Sequence, residues 1–524
     1  MAISGSAIWE VRTTGTASNA NAGLFVNATS RIDYSLQDAA QYNLTGVTTA
    51  GADATLLTAS AAADMVGNGA HIISGTNFTP GWYEILSVVA GVSITLDRNC
   101  ATAAGALGVV NIGGALSLGS SDDAVFESMV AGNKMFVKAG TYTLGGTVSI
   151  AVNGNNNLPI FIEGYNTNRG DMPVDSQAPM FNPGAAVFTT GNDWDITSLN
   201  FSGTAASVLT LGSRSKINRV KVLNNSQTAG RAAVTGATDS FIWRCDLQSY
   251  KGTAFTNAGA NVTIDSCYVH DSNIGVTHSA AGSFYALNNI FKNFANTALN
   301  YSGATVSTLD IKQNTLIGCN QTGTGIAFGS GVIIPKVWNN IITNFNFGIN
   351  HAGTIASHLS AFNNFISNSS DVLRWSKDTT DIALATGFSS TDITGTNGAV
   401  SSSIITSAGK DFTALGVLAG RDFINFTAGT SFVLGMYGIT AVGTTTLTLD
   451  ISPGPDTVAN KSYQILRGAD FTPGTNLKAA AFPGAFPGGY STGYTDTGAV
   501  QRVEPAAGGG GGPAIGTRPY TTKI

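Results

Sequence analysis

The chain has 524 residues, of which 11% are charged and 43% apolar, with 64 glycines and a formal net charge of −5. That is too apolar for a disordered chain and too glycine-rich for a helical enzyme, and the acidic balance argues against nucleic acid as the main partner. No run of about 18 uninterrupted apolar residues occurs, so no membrane span is expected.

Residues 1–52 are rich in Thr, Asn, Ala and Gly. Only Ala7 to Arg12 reads as a clear strand, and the apolar content is too low for an independent core. The segment is therefore expected to be an attachment arm, packing on the next domain or on another subunit. The opening residues, Met1 to Trp9, lack a basic region followed by an apolar run, so no secretory leader is expected.

An internal repeat follows. Gly81 to Asp97 matches Gly435 to Asp450 at Gly, Tyr, Ile, Val, Thr, Leu and Asp with one gap. Upstream, Ala70 to Thr76 parallels Asp422 to Ala428. Both copies alternate apolar residues through strands and turns. Two small antiparallel β modules are expected, at 53–114 and 398–467.

Between Ser120 and Ala131 lies the one helix signal. Asp122 and Asp123 suit an N-terminus, and Val125, Phe126, Met129 and Val130 form one apolar face. Such a helix would cap the open end of a stack of coils. Met135 to Tyr142 and Pro159 to Tyr165 then read as strands of the first coils.

From Trp194 to Ile366 a short pattern recurs: a polar residue, then Asn or Cys, then residues that include large apolar side chains. Its anchors are Cys245, Cys267, Asn289, Asn314, Asn340 and Asn364, with Asn200 and Lys221 as less clear upstream members. A period of twenty-odd residues marks a solenoid. The strand signals are short, as in Val262 to Ile264 and Val337-Trp338, and are separated by Gly, Asn, Ser and Thr, which turn readily. The solution is a parallel β-helix over 115–397 whose coils pair about 4.8 Å apart. Stacked Asn side chains would form a ladder, with Cys245 and Cys267 as small buried members of the same column. Those two cysteines stand on adjacent coils at bridging range, but nothing suggests export, and reduced core thiols are expected. Cys100 and Cys319 show no metal-type spacing with them. The remainder, 468–524, holds five glycines at 508–512 before a final arm, which either docks elsewhere or is a loose tail.

The recurrent Asn column resembles that of the right-handed parallel β-helices of the pectate-lyase-like superfamily, over roughly Ser120 to Leu373. The helix followed by Phe136 to Tyr142 and Phe161 to Tyr165 resembles the entry into many phage and bacterial β-helix proteins. The resemblance implies an all-β fold: a right-handed β-helix solenoid flanked by two antiparallel modules.

A β-helix often carries a groove for polysaccharide, so catalysis has to be weighed. Glycoside cleavage usually needs two carboxylates at a defined separation, and lyase chemistry a base with a cation. The clear coils contain no Glu, and their acids are Asp239, Asp246, Asp265, Asp271 and Asp310. Asp265, His270 and Asp271 share one coil and Asp246 lies in the coil before, so Asp246, Asp265 and Asp271 are the weak catalytic candidates. Solvated turn residues are the plainer reading. His278, His351 and His358 read as structural. The motifs of polygalacturonases and the calcium-binding acids of pectate lyases are not recognisable, so no metal, no cofactor and no enzymatic activity are expected. Arg169-Gly170-Asp171 reads as an incidental tripeptide. Trp194, Trp243, Tyr268, Tyr285, Tyr301 and Trp338 would be sugar-stacking platforms where exposed, and core or strand residues otherwise.

The expected function is structural. Modules flanking a β-helix, with terminal arms, resemble bacteriophage tail spikes, tail fibres and capsid-surface appendages. That resemblance implies a virion protein assembled in the host cytoplasm, attached to other virion proteins by its N-terminal arm, homotrimeric, and contacting host surface glycan. The alternatives are a tailspike depolymerase and a bacterial surface adhesin.

Overall fold

The computed structural model describes residues 8–16, 24–25, 42–66, 69–113, 116, 118, 126–173, 175–302, 308–318, 322–332, 335–353, 358–366, 368–384, 393–419, 422–428, 435–449, 452–453 and 456–466. The chain is nearly all β, a parallel β-solenoid of about ten turns with antiparallel sheets beside it. It divides into two compact units, Met1–Ser249 with Phe255–Thr263, and Tyr250–Ala254 with Ile264–Ile524.

In the first unit the strand Ile8–Thr16 is the lowest parallel rung of one sheet, with Leu24–Phe25 antiparallel on its other side. It pairs in parallel with Lys134–Lys138, followed by Ile160–Tyr165, Trp194–Thr197, Lys216–Asn218 and Phe241–Trp243. The N-terminal segment thus packs on the first coil of its own solenoid. Trp9 is fully buried there, donates to Asn133 Oδ1 at 3.2 Å and meets the Trp82 ring edge-on. The other sheet climbs through Thr141–Thr143, Met180–Gly184, Asn200–Gly203, Lys221–Asn224 and Asp246–Ser249, again all parallel. Tyr142, Phe181, Phe188 and Phe201 fill the interior edge to face. Of the expected capping helix, residues 119–125 lie outside the described ones. The described end buries Phe126 and Met129 and sets the Phe126 ring against Phe188 and Trp194, as a lid on the stack would.

In the second unit one sheet runs Ser283–Leu287, Thr308–Lys312, Pro335–Trp338 and Leu359–Ala361. The other runs from Tyr268–His278 and Ile290–Tyr301 to Asn364–Ile366 and Ile382–Leu384. In both units the two sheets meet at a tight corner whose leading residue takes a left-handed backbone. Those residues are Ser198, Arg219, Arg244, Ser266, Asn288, Gln313, Asn339 and Phe362, with φ between 52° and 59°.

The residue after each corner occupies the buried slot, and from Asn289 upward the slots form a hydrogen-bonded column. The Asn314 side-chain oxygen accepts the backbone N–H of Asn289 at 2.9 Å and its Nδ2–H at 3.0 Å. Asn340 does the same for Asn314, and Asn363 for Asn340. Each Nδ2 also donates to a backbone carbonyl of a neighbouring coil, such as Ala286 at 2.8 Å from Asn314. Asp381 ends the column by accepting both donors of Asn363. Cys245 and Cys267 fill lower slots as free buried thiols, and Cys100 is likewise free and buried.

Two slot assignments differ from the sequence expectation. The top slot is Asn363, not Asn364, because Phe362 takes the left-handed corner at φ 55°. Asn364 is shifted by one and stands between Ile341 and Ile382 in backbone register; it is fully buried and its amide has no hydrogen-bond partner among the described residues. Lower down, Leu199 and Val220 follow the corners, so Asn200 and Lys221 stand one residue beyond the column.

Each unit also carries a six-stranded antiparallel barrel. The first is built from Tyr42–Val47, Thr55–Leu57, Gly69–Phe78, Gly81–Val89, Ser93–Leu96 and Ala101–Ile112. The second is built from Ile393–Ser401, Ile404–Ser407, Phe423–Ala428, Gly435–Val442, Thr446–Leu449 and Asp456–Leu466. The neighbour order is the same in both, and so is the register. Ile85 faces Leu96 before a one-residue shift sets Ser87 against Thr95; Ile439 faces Leu449 before the same shift sets Ala441 against Thr448. The upstream match needs a correction of two residues, since Ala70 pairs with Tyr83 and Ile424, not Asp422, pairs with Tyr437. The second barrel closes through Ala399 and Thr406 and their neighbours. The first closes at the equivalent place with one bridge, Thr48 to Leu57.

The column yields a test of the slot assignment. Asn363→Ala leaves the backbone N–H of Asn340 without its acceptor and is expected to cost about 1–3 kcal/mol, whereas Asn364→Ala, which removes an unsatisfied amide, changes stability by less than about 1 kcal/mol. Denaturant midpoints of the two variants measure the difference.

Candidate functional site

The acids and the histidine singled out in the sequence go to separate partners. Asp246 sits on an outer strand position and pairs with Lys221 at 3.0 Å. Asp265 ends a strand, where it accepts from Ser266 Oγ at 2.7 Å and Asn288 Nδ2 at 3.1 Å. Asp310 accepts the Trp338 indole N–H at 2.6 Å. Asp239 adopts a left-handed turn.

Only His270 and Asp271 come together. His270 Nδ1 lies 2.7 Å from Asp271 Oδ2, and Asn293 Nδ2 donates to Asp271 Oδ1 at 3.0 Å. Asp271 is aimed by its corner backbone at φ 46°, and Asn293 by the same kind of corner one coil on, at φ 63°. Tyr268 stacks on the imidazole at 4.1 Å, and buried Lys292 stands opposite His270 in register. A carboxylate on one ring nitrogen fixes an imidazole for proton transfer. Here, however, His270 and Asp271 are 7% and 4% exposed, which leaves little room for a polymer to approach either group. Among the described residues no group of three or more His, Cys, Asp or Glu side chains is placed to hold a metal ion, and no helix is long and apolar enough to cross a membrane.

The aromatic candidates divide by position. Trp194 and Tyr301 are fully buried in the interior. Trp243, Tyr268, Tyr285 and Trp338 lie half-buried on the strands. Two carry a cation over the ring: Arg244 at 4.1 Å from the Trp243 centroid and Lys312 at 4.3 Å from that of Trp338.

Arg169-Gly170-Asp171 does not present its charges outward as a pair. Arg169 makes contacts of 3.1 and 2.7 Å to Glu10, a fully buried carboxylate that also receives Arg12 and the Tyr165 hydroxyl. The Asp171 carboxyl closes its own loop by accepting the backbone N–H groups of Asn166, Thr167 and Asn168. Partial burial pushes that carboxyl up, but the three donors outweigh it and hold it below its ordinary range.

His351 is fully buried and accepts from Gly353 N–H, and His358 Nε2 lies 2.8 Å from the Ser376 carbonyl. His278 is fully buried between Phe284 and Tyr301, and burial pushes its pKa down from 6.5 to about 4.

No family model and no curated protein matches the chain. Among solved structures it is similar to pectate lyase Pel9A, at 13% identity and a TM-score of 0.35, with 74% of this chain and 91% of that chain covered. It is also similar to a double mutant of the tailspike protein of E. coli bacteriophage HK620, at 11% identity and a TM-score of 0.29, covering 65% of this chain and 82% of that one. A third is the tailspike protein gp49 from Pseudomonas phage LKA1, at 11% identity and a TM-score of 0.15, covering 82% of each. These likenesses concern the parallel β-helix alone.

The buried imidazole sets a pH dependence. Its folded pKa lies below its unfolded value, so the neutral form is the one the fold holds. The stability it allows is fully present above 6.5 and is lost as pH falls from 6.5 towards 4, by on the order of 3 kcal/mol. Replacing it, as in His278→Leu, is expected to flatten the melting temperature across that window.

Proposed function

We propose that this chain is a structural protein of a virus particle, a bacteriophage tail spike, tail fibre or capsid-surface appendage that offers a rigid β-helical side for attachment to host surface glycan. The observation that carries this reading is the hydrogen-bonded column from Asn289 to Asp381. It ties each of the upper coils to the next through fully buried amides, so bending that part of the stack breaks hydrogen bonds that water cannot replace. Such a body suits a mechanical part. The barrels beside the solenoid and the anchoring of Ile8–Thr16 on its first coil support the same reading. In it, the N-terminal arm binds other virion proteins and three copies assemble side by side.

A second reading, a tailspike that depolymerises glycan, is favoured by one observation, the His270–Asp271 pair with Asn293. Asp271 is then the first residue to replace, followed by Asp265 and Asp246.

One assay separates the two. The purified chain, for which light scattering is expected to give a trimer, is incubated with host surface polysaccharide. Under the structural reading the polysaccharide is retained and its length distribution on size-exclusion chromatography is unchanged. Shortened chains that disappear with Asp271→Asn put the depolymerase in its place. Immunogold labelling of purified particles tests the virion role directly, and unlabelled particles rule it out.

A further inference from the structure

One corner of the outer face of the first unit carries two arginines, where the coils Lys216–Asn218 and Phe241–Trp243 lie side by side in parallel. Lys216 is exposed, and Arg219, Phe241, Trp243 and Arg244 are half-buried. Arg219 N–H donates to the Trp243 carbonyl at 3.1 Å, which sets the two arginine corners one coil apart, about 4.8 Å.

Within the first unit the carboxylates around this corner already face cations. Asp193 accepts two hydrogen bonds from Arg214, at 2.8 and 2.7 Å, and Asp239 also faces that guanidinium. Asp195 stands opposite Lys216 in register, and Asp246 pairs with Lys221. Arg219 and Arg244 are left over: among the described residues neither has an ion pair.

Their backbone makes the choice of arginine more telling. Both corners are left-handed, at φ 54° and 52°. Asn is several-fold favoured there over a long side chain, and the corners at Asn288 and Asn339 follow that preference. Two consecutive arginines thus go against local preference, as residues kept for a surface role do. Beside them Trp243 carries the Arg244 guanidinium over its ring at 4.1 Å, and an indole offers the flat apolar surface on which sugar C–H faces stack.

We propose that Arg219 and Arg244, with Trp243, form a binding site for the carboxylate-bearing sugars of an acidic polysaccharide. The inference rests on the attachment reading above and names its ligand class. Paired guanidiniums suit carboxylates because each presents a planar fork of donors. A nucleic acid would call for a longer basic stripe, and this chain carries a net charge of −5. A second copy of the chain on this face would bury two cations without providing surplus acids.

The test uses the full chain and oligosaccharides of glucuronic acid, with their methyl esters as neutral controls, read by calorimetric titration. Binding of the free acids is expected to weaken roughly tenfold with either Arg219→Asn or Arg244→Asn and with Trp243→Ala, and the esters are expected to bind the unaltered chain as weakly as the double arginine variant binds the acids. Because Asn suits a left-handed corner, both arginine variants should melt at or above the temperature of the parent chain, which separates lost binding from lost folding. Acid binding that survives the double variant overturns the site while leaving glycan attachment standing. Equal binding of acids and esters overturns the charge selection. Displacement by single-stranded DNA at matched ionic strength overturns the sugar assignment, and failure of the free acids to bind at all overturns the site, the wider reading then resting on its own polysaccharide and particle-labelling assays.

Discussion

A chain that climbs in coils must turn a corner at the edge of its own core on every lap, and at each corner a backbone N–H leaves water. Orphaned, each such donor costs about 1–3 kcal/mol. In the upper coils the oxygen of the next asparagine accepts it, while the same amide's nitrogen donates onward, so one residue type serves as acceptor and donor in every lap. Asn289, Asn314, Asn340 and Asn363 have no exposed surface at all. The series needs an end that accepts without donating, and Asp381 supplies it. Its second oxygen takes the Ser360 hydroxyl and the Asp378 N–H, so the carboxylate is fully engaged. Lower down the thiols stand in: Cys245 Sγ reaches the carbonyls of Trp243 and Ile217, the positions that Asn340 Nδ2 reaches at Trp338 and Ile311.

That arrangement was legible in the sequence where the side chain needed was also a rare one in a core. Asn289, Asn314 and Asn340 recur at even spacing, and burying an amide is costly unless a ladder of this kind satisfies it. Asn363-Asn364 misleads, because two adjacent asparagines offer the same letters to one slot. The choice is made by Phe362, which occupies a left-handed corner that its own preferences disfavour. Asn200 and Lys221 mislead for the converse reason. The slot there holds Leu199 and Val220, which look like any core residue, and only the left-handed Ser198 and Arg219 before them reveal the corner.

The candidate site was less legible than the fold. The sequence placed Asp265, His270 and Asp271 in one coil, but a strand sends successive side chains to opposite faces, and a left-handed corner redirects Asp271 again. Proximity in sequence therefore said little about which acids meet. Asn293, which fixes Asp271 from the next coil, carried no signal beyond the column to which it does not belong. Arg219 and Arg244 were visible as basic residues in a chain of low charge. Their significance emerges only once the corner geometry shows that asparagine would have fitted better and that the carboxylates of the same unit there already face cations.

The barrels show why one hairpin was detectable by repetition and the rest was not. Within Gly81 to Leu96 and Gly435 to Leu449 the same bulge imposes the same spacing of Ile, Val and Leu on both copies, so residues align. Elsewhere the barrels reach equal register with different fillings. In the first, Phe78 from the third strand lies against Gly105 and Gly108 of the sixth, and in the second, Tyr463 from the sixth lies against Gly395 and Gly398 of the first. Each ring takes the space that two missing side chains leave, and close packing requires only that the volume be filled. A barrel can therefore keep its strand order and the register of its hairpins while the positions of its large and small residues trade places, which erases sequence likeness without changing which strands pair.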